Sequence, residues 1–282
     1  FIMRRCYNIC MKRIAAILAA AVALGCCACG AKGGENPTLG VWWWNSELAI
    51  DEYLGFAVDN GVTEVYYCDA GLDSDTAAFV SECRRRDIDA YFLAGEYQWL
   101  DDPSPLYDVV ERYIAFNGEH PDTFSGVHLD IEPHQSPDFA ERRGELIYSL
   151  VSLAAGLKAK YPSLRFDYDI PFWLNDEITF GGDTLPAYAH MILIADRVFI
   201  MSYRDTAEAI FDTAADEIAF AEANGKTPVL GVETYSEEGD NVSFLEEGKR
   251  YMYGELDKLR GMLPDGSGLA IHHIKTWREL KD

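Results

Sequence analysis

His128, Asp130 and Glu132 sit two residues apart in the segment SGVHLDIEPH, interleaved with Val127, Leu129 and Ile131. Side chains alternate between the two faces of an extended chain, so the three titratable groups share one face and the three apolar groups the other. Pro133 stops such a strand directly after Glu132. Two carboxyls at successive positions of one face do not both ionise easily. One pKa rises, which produces an acid still protonated near neutrality and suited to general acid catalysis. Taken alone, His128 reads equally well as a core histidine with its hydrogen bonds satisfied.

A face of this kind needs a frame to close around it. Strand-like segments fall at 39–45, 63–69, 88–95, 125–132, 164–171, 196–203, 228–234 and 269–277, and amphipathic helical periodicity is clearest at 74–86, 137–160, 206–224 and 243–262. Asn60-Gly61 and Asn224-Gly225 mark helix ends. Eight strands alternating with helices are the layout of a (β/α)8 TIM barrel spanning 38–282. A doubly wound open sheet usually carries a Gly-rich phosphate turn after its first strand, and the sequence has none there. Only Arg278–Asp282 follow the eighth strand segment, so the eighth helix is expected to be short or missing.

In such a barrel the chemistry gathers where strands end and loops begin. The strand ends supply Trp43, Trp44, Tyr67, Asp69, Glu96, Trp99, Asp130, Glu132, Asp167, Asp169, Trp173, Met201, Tyr203, Arg204, Asp205, Glu233, His273, Lys275 and Trp277. This rim is rich in carboxylates and aromatics. Aromatic rings stack on sugar faces, while carboxylates bind hydroxyls and move protons, so the rim reads as carbohydrate recognition or cleavage. Trp42, Trp43 and Trp44 are consecutive and cannot all face the cleft.

The segment SGVHLDIE resembles the fourth-strand signature D-G-x-D-x-D-x-E of glycoside hydrolase family 18, the chitinase-like barrels. Gly126, Asp130 and Glu132 match it, while Ser125 and His128 stand where the first two aspartates would be. Met201-Ser202-Tyr203 is similar to the family's M-x-Y, with Arg204 in place of the following Asp and Asp205 one position later. Trp277 matches the tryptophan that floors the sugar subsite. The resemblance implies a (β/α)8 glycosidase in which Glu132 is the general acid. Asp130 would orient an N-acetyl group whose own oxygen attacks the anomeric carbon, and Tyr203 would hydrogen-bond that group. The chain is identified as a remote member of this superfamily. Trp43, Asp69, Glu96, His128, Asp169, Met201, Asp205 and Trp277 are the expected substrate-binding residues.

Two alternatives stay open. Glu132 followed by Pro133, with Glu233 closing the seventh strand, resembles retaining glycosidases that use one Glu as acid/base and a second as nucleophile. Ile131 stands where those families usually carry Asn. The other alternative is a barrel that binds glycans without cleaving them, since His128 replaces a motif carboxylate and a fold does not itself establish chemistry.

At the N-terminus, Met11-Lys12-Arg13 and the apolar run Ile14–Leu24 have the layout of a secretory signal. Phe1–Cys10 reads as sequence upstream of it. Ala23-Leu24-Gly25-Cys26 resembles a bacterial lipobox, which implies lipidation at Cys26, with Cys27 and Cys29 as neighbouring candidates, and an exported protein anchored to the cell envelope. Cleavage without lipidation is the other reading. Residues 26–37 read as a flexible tether. The chain carries a formal charge of −23, and since residues 1–25 hold four basic and no acidic side chains, the remainder stands at −27. That balance argues against nucleic acid and against a polyanion held in a basic cleft. No Cys or His spacing suggests zinc, and neither metal nor cofactor is expected.

Overall fold

In the computed structural model, which describes residues 38–44, 48–68, 71–235 and 241–282, eight short segments of apolar and aromatic residues pair in parallel and close on themselves. Their order in the sequence is β1 (Leu39–Trp43), β2 (Glu64–Cys68), β3 (Asp89–Ala94), β4 (Val127–Leu129), β5 (Phe166–Pro171), β8 (Arg197–Met201), β9 (Val229–Glu233) and β10 (Gly268–His272). Each pairs with the next, and β10 returns to β1 through Leu39 opposite Leu269. The (β/α)8 barrel expected from the sequence is therefore the fold. Residues 1–37, with the expected signal, Cys26 and tether, lie outside the described residues, as does Asp69.

The connecting helices are α1 (Ile50–Asp59), α2 (Ser74–Arg85), α3 (Ser104–Glu119), α4 (Phe139–Lys160), α5 (Ala187–Ile194), α6 (Ala207–Thr213), α7 (Ala215–Ala223), α8 (Lys249–Arg260) and α9 (Ile274–Glu279). The Asp73 carboxylate starts α2 by accepting from the backbone N–H groups of Asp75 and Thr76. Three details differ from the sequence reading. The eighth strand stops at His272, not at 277, and a six-residue helix follows it. The helical stretch at 206–224 is broken at Ala214, whose φ of −109° and ψ of 14° are not helical. An antiparallel hairpin of β6 (Glu177–Phe180) and β7 (Asp183–Pro186) follows β5, turned by Gly181 and Gly182, both at positive φ.

Alternation along the strands sorts the side chains into two cores. Val41, Trp43, Val65, Tyr67, Val127, Leu129, Ile200 and Val232 belong to the large buried cluster between strands and helices. A smaller cluster of Trp42, Tyr66, Tyr91, Leu93, Phe199, Val229 and Ala270 fills the barrel itself. Below it, at the N-terminal end, the Arg197 guanidinium donates to both oxygens of Glu64 at 2.9 and 2.8 Å and to Asp167 Oδ2 at 2.7 Å. This ion network fills the floor, opposite the C-terminal mouth.

Candidate active site

β4 is short, and its continuation brings Asp130 and Glu132 to the mouth. The Asp130 amide donates to the Ala94 carbonyl at 3.0 Å, carrying the pairing with β3 one step past the strand. The two backbones meet closely there. A Cβ on Gly95 would lie 1.7 Å from the Asp130 carbonyl oxygen, so the position admits only glycine. Glu132 stays extended (φ −102°, ψ 102°) before Pro133–Gln135 form one 3-10 turn. That turn folds Gln135 and His134 back onto the Glu132 carboxylate. Gln135 Nε2 donates to Glu132 Oε2, and His134 Nε2 lies 3.4 Å from Oε1.

Inside Glu132 stand Asp130 and Asp169, the latter on β5. Burial, followed by the charges of Asp169 and Glu132, holds the Asp130 carboxyl well above the usual range. Burial also raises Asp169, against the hydrogen bond from Trp42. Trp42 Nε1–H donates to Asp169 Oδ2 at 3.1 Å, and His128 Nε2 meets the same oxygen at 2.8 Å. His128 is fully buried, stacked on Tyr66 with ring centroids 4.4 Å apart. Burial pushes its pKa down to about 3, so it is neutral and donates Nε2–H to Asp169.

The opposite wall comes from β8, β9 and β10. Tyr203 lies in the field of Glu233, Asp169, Asp130 and Glu132, and burial, with those charges behind it, pushes its phenol well up. It remains a neutral hydrogen-bond donor. Its ring stacks on His272 at 6.1 Å. Trp44 Nε1–H donates to His272 Nε2 at 2.7 Å, which fixes that nitrogen as the acceptor. His272 Nδ1 therefore carries the proton and donates to Glu233 Oε2 at 2.8 Å. Glu233 Oε1 accepts from the backbone amides of Thr234 and Tyr235 at 2.7 and 2.8 Å. Both oxygens of Glu233 are occupied.

The structure thus gathers Asp130, Glu132, Asp169, Tyr203 and Glu233 at one mouth, with Met201 half-buried at the end of β8. Other expected binding residues go elsewhere. Trp43 has the wrong parity: it is fully buried outside the barrel, 5.0 Å from the Phe79 ring. Trp277 sits on α9, buried against Phe56 and Tyr253, because the eighth strand ends before it. His128 is closed off beneath the cleft and supports Asp169. Asp205 is buried, and Glu96 is exposed on the loop after β3. The sequence reading places Trp44 on the rim but not Trp42 or His272, although Trp42 shares the parity of Trp44. Beside Glu132, Trp173 lies 5.4 Å from the His134 ring, with the Arg143 guanidinium 4.9 Å over its face. Among the described residues no group of His, Cys, Asp and Glu has metal-binding geometry.

Neither a protein-family profile nor a curated protein sequence matches the chain. Solved structures do. A chitinase from Bacteroides thetaiotaomicron superimposes with a TM-score of 0.56 at 12% identity, over 86% of this chain and 91% of that one. The fold is that of the glycoside hydrolase barrels. The glycoside hydrolase domain of PelA from Pseudomonas aeruginosa has this barrel too, with a TM-score of 0.52 at 13% identity over 87% of this chain and 98% of that one. The spore cortex-lytic enzyme SleL from Bacillus megaterium gives 0.52 at 12%, over 88% and 74%. At such identities the likeness to these glycoside hydrolase barrels is one of fold.

Proposed function

We propose that the chain is a glycoside hydrolase related remotely to family 18, with Glu132 as the general acid and Asp130 supporting attack by the substrate's own N-acetyl oxygen. The observation that carries this reading is the placement of Glu132 and Asp130 on one inward face, at the mouth of a barrel whose floor is filled. Glu132 is half-buried at the rim, where it can reach a glycosidic oxygen. Asp130, kept protonated on one oxygen by its surroundings, accepts the acetamido N–H on the other, and so orients the acetamido oxygen that bonds to the anomeric carbon as the glycosidic bond breaks and Glu132 protonates the leaving oxygen. Tyr203 supplies a neutral donor from just past β8. Trp44 and Trp173 replace Trp43 and Trp277 as the aromatics available to a sugar ring.

The two-glutamate scheme gains less support. Glu233 spends both oxygens on two backbone amides and His272, and so serves to orient the His272–Trp44 pair. The glycan-binding alternative rests on His128 and Arg204 standing in motif positions. Wild type, Glu132→Gln, Asp130→Asn and Glu233→Gln are compared on a panel of N-acetylated and non-acetylated oligosaccharides. The expected result is turnover of acetylated substrates only, a loss of about 10²–10⁴-fold in Glu132→Gln, and retained binding in that variant. Wild-type binding without turnover overturns the enzyme reading in favour of a binding barrel. Loss confined to Glu233→Gln favours the two-glutamate scheme.

We also infer export and lipidation at Cys26, supported by the signal layout and the Gly25-Cys26 pair. Metabolic labelling with an alkynyl fatty acid in a bacterial host tests this, with labelling expected in wild type and lost in Cys26→Ala. Unchanged labelling in that variant moves the site to Cys27 or Cys29.

A further inference from the structure

Asp169 lies outside the motif that carries Asp130 and Glu132. β4 and β5 pair with Val127, His128 and Leu129 opposite Phe166, Asp167 and Tyr168. The same register sets Asp130 opposite Asp169, one strand spacing away (about 4.8 Å) and on the same inward face. Asp130 Oδ1 and Asp169 Oδ1 are both buried and both without a hydrogen-bond partner. Two facing carboxyls with orphaned oxygens are costly as a pair of anions, and a single proton between them satisfies both. We propose that Asp169 is the positioning residue of this site, accepting a hydrogen bond from the protonated Asp130 across their Oδ1 atoms and thereby holding the other Asp130 oxygen as a hydrogen-bond acceptor aimed into the cleft.

The assignment of acid and anion follows from the remaining partners. Asp169 Oδ2 takes hydrogen bonds from both Trp42 and His128, which favour its ionised form. Among the described residues Asp130 has no such donors to its side chain, so the proton resides on Asp130. Among the described residues, the other groups facing the pair are carboxyls, neutral donors or side chains already engaged, with His272 drawing Asp169 downward. Glu132 at the mouth and Glu233 from β9 are carboxyls, and Asp167 below is engaged by Arg197 and Arg165. Tyr203 just past β8 and His128 from β4 are neutral, and His272 from β10 is spent between Trp44 and Glu233. The neutral His128 at a motif position is thereby explained. The carboxylate partner of Asp130 is supplied by the neighbouring strand, and a histidine beneath it is the donor that keeps that partner ionised.

The pair deepens the glycosidase reading, which gives Asp130 its task, but its test does not depend on turnover. Side-chain carboxyl 13C NMR titration of the folded wild-type chain should show Asp130 and Asp169 each reporting two coupled steps, the upper one above the ordinary carboxyl range. In Asp169→Asn the Asp130 midpoint should fall by about one pH unit or more, and in the reciprocal Asp130→Asn the Asp169 step should fall likewise. Single independent steps in wild type, or an Asp130 midpoint unmoved in Asp169→Asn, overturn the proposal. The wild-type titration decides even if a variant fails to fold. Should the coupling be found in a protein that cleaves no glycan, the pair stands and the glycosidase reading falls. Where cleavage is found, the alkaline limb of the kcat/KM profile should move to lower pH in Asp169→Asn.

Discussion

At the scale of single residues, the site is defined by which carboxyls carry a proton. Asp130 has a pKa raised in the fold by burial and then by the charges of Asp169 and Glu132. A raised folded pKa gives stability that is fully present below the unfolded value of about 3.9 and is lost as pH climbs through the folded pKa. Asp130→Asn removes that loss, so its Tm should exceed that of wild type by a margin that grows from pH 5 to pH 8. A constant or shrinking margin would show that Asp130 ionises freely in the fold. The His272 tautomer is a second consequence of donor chemistry. Long-range 15N NMR should find Nδ1 protonated and Nε2 bare, with the Nε2–H form appearing in Trp44→Phe, where the indole donor is gone. Asp130 and Glu132 were legible in the sequence because alternation alone puts them on one face. The sequence groups Trp42 with Trp44 and sets Trp43 on the other face, but which of the two faces turns inward is fixed only by closure of the barrel, and it is not that of Trp43.

At the scale of elements, β4 owes its reach to a glycine on its neighbour. Gly95→Ala would drive a methyl group into the Asp130 backbone, which cannot swing aside as a side chain can. The expected cost is about 1–3 kcal/mol of stability, read as a fall in Tm, with loss of whatever activity the site has. Gly144 on α4 is the matching control. A Cβ there meets nothing within 4 Å, and Gly144→Ala should stabilise the chain by about 0.5–1 kcal/mol. Equal effects at the two positions would contradict the close approach at Gly95. All eight strand segments were legible from periodicity and turn residues. The end of the eighth was not, since LAIHHIKTW keeps apolar residues in both strand and helix spacing, and the overrun placed Trp277 on a strand it does not belong to. The β6–β7 hairpin escaped because its strands are four residues each, too short for alternation to stand out.

At the scale of the whole molecule, the barrel separates a stabilising end from a chemical one. Arg197 bridges Glu64 and Asp167 on the floor, and Arg197→Met leaves the buried Glu64 without its cation and Asp167 with Arg165 alone. The expected cost is about 3–5 kcal/mol in denaturant unfolding, with kcat/KM of the folded fraction unchanged. A loss of kcat/KM in folded protein would place the chemistry at the wrong end. The opposite end holds the central claim, that Glu132 protonates a departing glycosidic oxygen, and leaving-group dependence tests it most directly. Wild type and Glu132→Gln are assayed on an N-acetylhexosaminide with a sugar leaving group and on the same glycoside with a dinitrophenyl group, whose departure requires no proton. The account predicts a loss of about 10²–10⁴-fold on the sugar and less than about tenfold on the dinitrophenyl substrate. Equal losses on both, or no wild-type cleavage of either, would contradict it.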